Sequence, residues 1–408
     1  KSSDGVTNLT INNEKGGHIY HGADKAVILL GGDATFNNSG KIENQNDPAS
    51  NVITLSGTAG ATLNLKDSGL VIGKIKIDDS GHKINVQHGI GQSYFYETAG
   101  NGSYDISDLD GNPIVKGSVG SIGQGANEMM DEVLGFKSLN FRKSLTRFKK
   151  SEQYSNNDRA WSEIASSLNF RKENKSTLRL ENNSFNVGAN IIAPISNDKN
   201  FIIILDSGAQ EFSKDHDVEK ISLSTGFHMD QIKINENIST EFFIVGGIGF
   251  NDSDRRILTN TTTSGVLEIT DDYKNYDLLI GNKLITNSAL PDISFNLGYS
   301  RIPSHKESRI YEWEEKDIYN ASVALSNEHD IIKNKNSNLY FAWLVDARNV
   351  IDENTQVFTV NGTRGTYSQH NDLKEELSLS ASINYEYKFS ENNSFAIVFD
   401  GLQTSQDT

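Results

Sequence analysis

Asp108-Leu109-Asp110-Gly111-Asn112 places oxygen ligands on alternate residues, as a calcium loop would. No acidic ligand follows at the spacing such a loop needs, and the run is equally a good Asp-Gly turn, which is the favoured reading. His18, His21, His82 and His88 would suit a metal, but none belongs to a His-Glu-x-x-His pattern and all lie in Gly-rich β segments, so surface histidines are expected. There is no Gly-x-Ser-x-Gly elbow, no supported Ser, His and Asp set, and no P-loop. These absences lead to the expectation of a protein that is not an enzyme and uses neither cofactor nor metal.

The elements that would hold such residues follow from composition and period. The chain has 408 residues, 34 of them Gly, no Cys, and a formal charge of -16. Without Cys there is neither a disulfide framework nor a thiolate metal site. The negative charge argues against nucleic acid, whose phosphates it would repel. No run approaches the ~18 apolar residues of a membrane helix. A membrane β-barrel stays open, because its strands of ~10 alternating residues barely register in a hydropathy window. Lys1-Ser2-Ser3-Asp4-Gly5 contains no apolar signal-peptide core, so a mature or internal segment is expected.

Residues 7 to 77 recur loosely: Leu9-Thr10-Ile11-Asn12-Asn13, then Ala34-Thr35-Phe36-Asn37-Asn38, then Ala61-Thr62-Leu63-Asn64-Leu65. A period of roughly 25 with Asn pairs and Gly corners fits stacked coils of a right-handed parallel β-helix, and an Asn/Gly-rich sandwich is the alternative. From 78 to 122 the repeat dissolves into short strands with Gly and Asp-Gly turns, which reads as a cap. Residues 126 to 150 read as a helix with Leu134, Phe141, Leu145 and Phe148 on one stripe. Its other faces carry Lys137, Arg142, Lys143, Arg147, Lys149 and Lys150, a cationic block in an acidic chain. Periodicity alone leaves open a solvated basic helix.

From Trp161 the period is two. In Leu377 to Phe389 every odd position is apolar or aromatic and every even one polar. Weaker alternation runs through 185–191, 221–229, 294–300 and 319–325. Short links near 196–200, 234–238, 287–291 and 390–393 alternate with longer polar segments near 170–183, 251–265 and 349–368, the parity of an outer-membrane barrel rather than a sandwich. About eleven strands are expected, whereas single-chain bacterial barrels normally have an even number.

This order of parts resembles the autotransporter family of type V secretion. The residues that carry the resemblance are Trp161, the hairpin from Ser184-Phe185-Asn186-Val187-Gly188-Ala189-Asn190 to Ser207-Gly208-Ala209, the glycines in Ser224-Thr225-Gly226 and Gly246-Gly247-Ile248-Gly249, and the run from Tyr385-Glu386-Tyr387-Lys388-Phe389 to Phe399-Asp400-Gly401. The resemblance implies four parts: the end of a β-helical passenger over 1–77, an autochaperone-like cap over 78–122, a pore helix and linker over 123–158, and a 12-stranded type of transmembrane antiparallel barrel over 159–408 whose last strand is missing from the sequence. The basic residues of the helix would then face a polar, acidic lumen. Some relatives release the passenger by attack of an Asn side chain within the pore helix. Asn156 and Asn157 lie after the helix instead, so a plain linker is the reading.

The implied function is an outer-membrane translocator that anchors and exports its own passenger to the cell surface. The implied partners are outer-membrane lipid, periplasmic chaperones and the barrel assembly machinery, and the barrel is expected to be a monomer. A surface adhesin, or the carrier of an upstream protease or esterase, is the alternative. A plain diffusion porin is disfavoured by the stem and the helix.

Overall fold

The computed structural model describes residues 8–405 apart from 23–25, 46–48, 68, 116, 124–136, 138, 151–159, 172–181, 197, 213–215, 287–289, 309, 352–354, 369–374 and 391–392. The start of the expected helix, with Leu134, and the Asn156-Asn157 pair lie outside the described residues.

The first part is a three-faced stack of parallel strands. One face runs Thr10–Asn13, Thr35–Asn38, Thr62–Lys66, His82–Gln87 and Tyr104–Asp108; a second holds His18–His21, Lys41–Asn44 and Leu70–Ile72; a third holds Ile28–Leu30, Asn51–Leu55, Lys74–Ile77 and Thr98–Ala99. Alternation puts Phe36, Leu63 and Ile84 in register and fully buried, one above the next, so each coil covers the apolar face of its neighbour. The Asn recurrence has a direct counterpart. Asn37 donates to Asn12 at 2.7 Å, Asn64 to Asn37 at 2.7 Å and Asn85 to Asn64 at 2.8 Å, a side-chain ladder along one face. The stacking does not stop near residue 78, where the repeat fades in sequence. His82–Gln87 and Tyr104–Asp108 are two more parallel rungs. Between these two rungs in sequence, Tyr94–Tyr96 departs from the stack and pairs antiparallel with Val119–Ser121.

The expected surface placement of the histidines holds for His18 and His21, whereas His82 and His88 are buried. His82 Nδ1 accepts from the Ala61 amide at 3.0 Å, and His88 is held between the Asp67 carbonyl and the Tyr96 hydroxyl. Accepting at Nδ1 fixes His82 as a neutral ring in the stem core. The Asp-Gly run is a turn whose side chains cap backbone. Asp108 Oδ1 accepts from the amides of Asp110 and Asn112, and Asp110 Oδ2 accepts from Gly89. Gly111 supplies the left-handed φ of 81° that the turn requires.

Among the described residues, the second part is a sheet of eleven antiparallel strands in sequence order, from Trp161–Arg171 to Asn393–Thr404. Each strand pairs with the next by a hairpin or return loop. The links at 234–237 and 334–336 lie at the same end of the sheet as the strand ends Ser196 and Lys199, Thr286 and Asp292, and Ser390 and Asn393, the end where the short connections are expected. The sheet presents its apolar side chains outward. In Glu375–Ser390, Leu377, Leu379, Ile383 and Tyr385 are exposed, whereas Ser378, Ser380, Asn384 and Glu386 are buried, Asn384 to 1%. The same inversion holds for Ile221, Leu223 and Phe227 against Ser222, Ser224 and His228, and for Phe295 and Leu297 against Ser294 and Asn296. A water-soluble sandwich would place these sets the other way round.

The expected loop at 251–265 is instead mostly strand. Ile238–Thr259 and Val266–Thr286 form one long hairpin of 22 and 21 residues. At ~3.3 Å per residue it is roughly 70 Å long, far more than the ~9–11 residues per strand that cross a bilayer. Its outward face changes with height. Ile244, Phe250 and Tyr276 are exposed on the lower part, Asp252, Asp254, Glu268 and Asp272 on the upper. The segment 349–368, also expected as loop, contains the hairpin Thr355–Val360 and Thr363–Ser368.

Burial holds the His82 imidazole below its ordinary value of 6.5, with the Asp79 carboxylate opposing the shift less strongly. A depressed imidazole leaves stem stability intact above 6.5 and erodes it as the pH falls, because the unfolded chain takes up the proton first. The His82→Asn variant keeps an acceptor for the Ala61 amide and is expected to flatten this acid-side loss. Hydrogen exchange of the 82–87 amides, corrected for intrinsic rate, is the measurement; equal acid sensitivity in both proteins would contradict the assignment.

Candidate functional site

The lumen of the curled sheet holds the helix at 139–150. Spacings of four and three put Phe141, Leu145 and Phe148 on one stripe, and they pack on Ile192, Ile202, Ile204, Phe243, Val245 and Leu279. The wall is therefore not uniformly polar, as the alternating pattern suggested. Among the described residues the helix meets two apolar patches of the wall, this one and a smaller one where Leu139 packs on Ala324, Leu344 and Leu402. Phe141 meets Phe243 edge-on at 4.9 Å. Phe243 is directly opposite Gly281, and a Cβ on that glycine would lie 2.2 Å from the ring, so the missing side chain makes the space Phe243 occupies. Phe148 approaches Trp161 at 6.1 Å, the first residue of the first strand.

The basic faces point at carboxylates spread around the wall. Lys137 pairs with Asp277 at 2.9 Å, Arg142 with Asp346 at 2.8 Å, and Lys143 with Asp400 at 2.7 Å. Arg147 pairs with Glu163 at 2.5 Å, Lys149 with Asp230, and Lys150 with Asp330 at 3.0 Å and Glu328 at 3.5 Å. All six basic residues singled out in the sequence thus meet an acid of the sheet. The partners include the first and the last strand, so the sheet wraps around the helix. Both members of the Arg142–Asp346 pair are buried, where screening by salt is slight. Ser144 extends the network to Glu163 at 2.5 Å and accepts from Asn190 at 2.8 Å.

The opposite mouth carries a second contact that sequence reasoning missed. The end of the long hairpin pairs in parallel with the stem, Leu258 beside Tyr94 and Thr259 beside Phe95. Asn260 donates to the carbonyls of Gly73 and Glu97 and accepts from the Glu97 amide. Tyr311 donates to the carbonyls of Tyr94 and Ser121. Arg255 reaches Ser93, the Ile122 carbonyl and, at 2.9 Å, Glu307. Burial pushes the Glu307 carboxyl up, and the neighbouring guanidinium opposes that. Phe95, Val115 and Ile122 of the stem share one apolar cluster with Ile257, Trp313 and Phe358 of the barrel hairpins. The polar alternation of 251–257 was the available signal, and it carries no apolar contrast to betray it.

The chain therefore passes from a stem seated on one mouth, through the lumen as a helix, to a first strand that begins at the short-turn end. Its fold is similar to that of autotransporter translocator domains. The translocator domain of the autotransporter NalP from Neisseria meningitidis is 12% identical, with a TM-score of 0.42, covering 69% of this chain and 97% of that one. The β domain of the Bordetella autotransporter BrkA is 7% identical, with a TM-score of 0.37, covering 60% and 92%. No family model and no curated protein matches the sequence.

Replacing Asp346 by Asn leaves a buried guanidinium without its counter-charge, and the expected cost to helix docking is about 3–5 kcal/mol. The pair Arg142→Met with Asp346→Leu removes both charges and should recover most of that loss. Conductance of the purified protein in planar bilayers reads the result as open-state events, frequent in Asp346→Asn and rare in the double variant. Equal gating in wild type and Asp346→Asn would show that the pair does not hold the helix.

Proposed function

We propose that this chain is an outer-membrane translocator that anchors and exports its own β-helical passenger to the bacterial cell surface. The observation that carries the reading is the path of the chain. A stacked stem sits at one mouth, a helix fills the lumen, and the strand sheet around them is apolar outside and polar within. Apolar outward faces belong in hydrocarbon, where every backbone amide must be paired within the sheet. The long hairpin supports one orientation. Its upper outward face is acidic and its tip holds the stem, so that end lies in water on the external side, with the short turns periplasmic.

Export in this reading draws its free energy from folding of the stem. Each rung that stacks buries another row of Leu, Ile or Phe and opposes back-sliding through the lumen. The seam at Tyr94, Leu258 and Tyr311 gives the last rungs a preformed edge on which to close. Barrel assembly machinery and periplasmic chaperones are the partners such a pathway uses, and a monomeric barrel suffices for it.

The absence of native cysteine makes the topology testable by single-site labelling. With a membrane-impermeant maleimide, Tyr20→Cys in the stem should label on intact cells, and Glu236→Cys in a short turn only after the outer membrane is opened. Labelling of Glu236→Cys on intact cells with Tyr20→Cys protected would reverse the orientation and end the export reading. In the same background Ile383→Arg should cost ~2–4 kcal/mol of folding stability in lipid and Ser382→Arg much less; equal costs would contradict the assigned faces.

A further inference from the structure

We propose that the lumen contains a divalent transition-metal site, formed by His228, Asp230 and Glu241 and closed by Lys149 of the helix. His228 and Asp230 lie two residues apart on His216–Lys233, and Glu241 lies on the adjacent strand Ile238–Thr259, so all three reach the lumen from one patch of wall. Their donor atoms fall within 4.8 Å of one another. A tetrahedral zinc with bonds of ~2.0–2.2 Å sets its donors about 3.5 Å apart. The three would therefore close by roughly an ångström, which rotation about the Glu241 side chain can provide.

Two of the donors are buried and unused. The His228 side chain is fully buried, and neither its Nε2 nor Asp230 Oδ1 has a hydrogen-bond partner among the described residues. Buried polar atoms without partners are uncommon and call for a cause. The Glu241 carboxylate lies 3.8 Å from His228 Nε2. The other ring nitrogen lies 3.3 Å from the Asn200 amide group. With that amide turned to accept from Nδ1–H, Nε2 presents its lone pair, the outer partner that metal-binding histidines ordinarily have. A cavity of about 30 Å³ adjoins His228 and Glu241, room for a water to complete the coordination.

Charge decides what occupies the patch. Two carboxylates attract a cation, and in the plugged lumen it is the Lys149 ammonium, paired with Asp230 Oδ2. Lys283, near Glu241, is already paired with Asp292 at 3.0 Å. One divalent ion with neutral imidazole and two carboxylates gives a neutral complex, but it shares Asp230 with Lys149. Metal binding and docking of the helix end are then mutually unfavourable, and by linkage each weakens the other by the same factor.

The test uses the full chain refolded in detergent micelles, titrated with Zn²⁺ by calorimetry and with Co²⁺ by visible absorption. Wild type should bind one ion, and Lys149→Gln should bind it at least tenfold more tightly. His228→Gln and Glu241→Gln should lose the ion and the tetrahedral cobalt bands. Heat-modifiable migration on gels confirms that each variant is folded; should His228→Gln fail this check, the Lys149→Gln shift and the Glu241→Gln loss decide alone. No ion bound by wild type and Lys149→Gln, affinity unchanged by Lys149→Gln, or binding that survives Glu241→Gln would overturn the site.

Discussion

Charge in the lumen is the constraint on which the remaining structure depends. A sheet whose apolar residues face outward has to put its polar residues inside, and here many of those are carboxylates: Glu163, Asp230, Asp277, Asp346 and Asp400 among them. Enclosed like charges repel with little screening. The helix answers with six basic side chains, each placed against an acid, while Phe141, Leu145 and Phe148 use an apolar sector of the wall. Each half supplies the counter-charge that the other lacks. An unpaired cationic helix has no reason to leave water, and an unplugged acidic lumen has no partner for its charge.

The same logic of unfinished edges shapes the other mouth. A β-helix ends in an exposed apolar layer and unpaired backbone, which has to be covered. Tyr94–Tyr96 meets this need twice, by pairing with Val119–Ser121 within the stem and with Leu258 and Thr259 of the barrel. The barrel hairpin extends well beyond any membrane thickness to reach it. Arg255, Asn260 and Tyr311 then satisfy stem carbonyls that neither unit satisfies by itself.

Much of this was legible in the residues. The odd and even sets of 377–389 separate outward from inward faces without exception, because one face meets hydrocarbon and the other polar groups, the strongest contrast a strand can show. The Asn pairs marked the stack because their side chains bond from rung to rung. Where the contrast vanishes, legibility ends. Residues 251–257 alternate Asp252 and Asp254 outward with Ser253 and Arg255 inward, polar on both faces, and so read as loop. His82 and His88 looked like surface residues because their partners, the Ala61 amide, the Asp67 carbonyl and the Tyr96 hydroxyl, come from other segments. The metal patch was invisible for the same reason, since Glu241 approaches His228 only through strand pairing.

The central claim is that one face of every barrel strand meets lipid while the other closes on a charged, occupied lumen. A nitroxide scan over residues 379–384 in bilayers tests it most directly, because the chain has no native cysteine to compete for the label. Relaxation by dissolved oxygen should be high at 379, 381 and 383, low at 380, 382 and 384, and a water-soluble nickel chelate should reach neither set. Access of the chelate to the odd positions, or oxygen exposure without a period of two, would contradict the account.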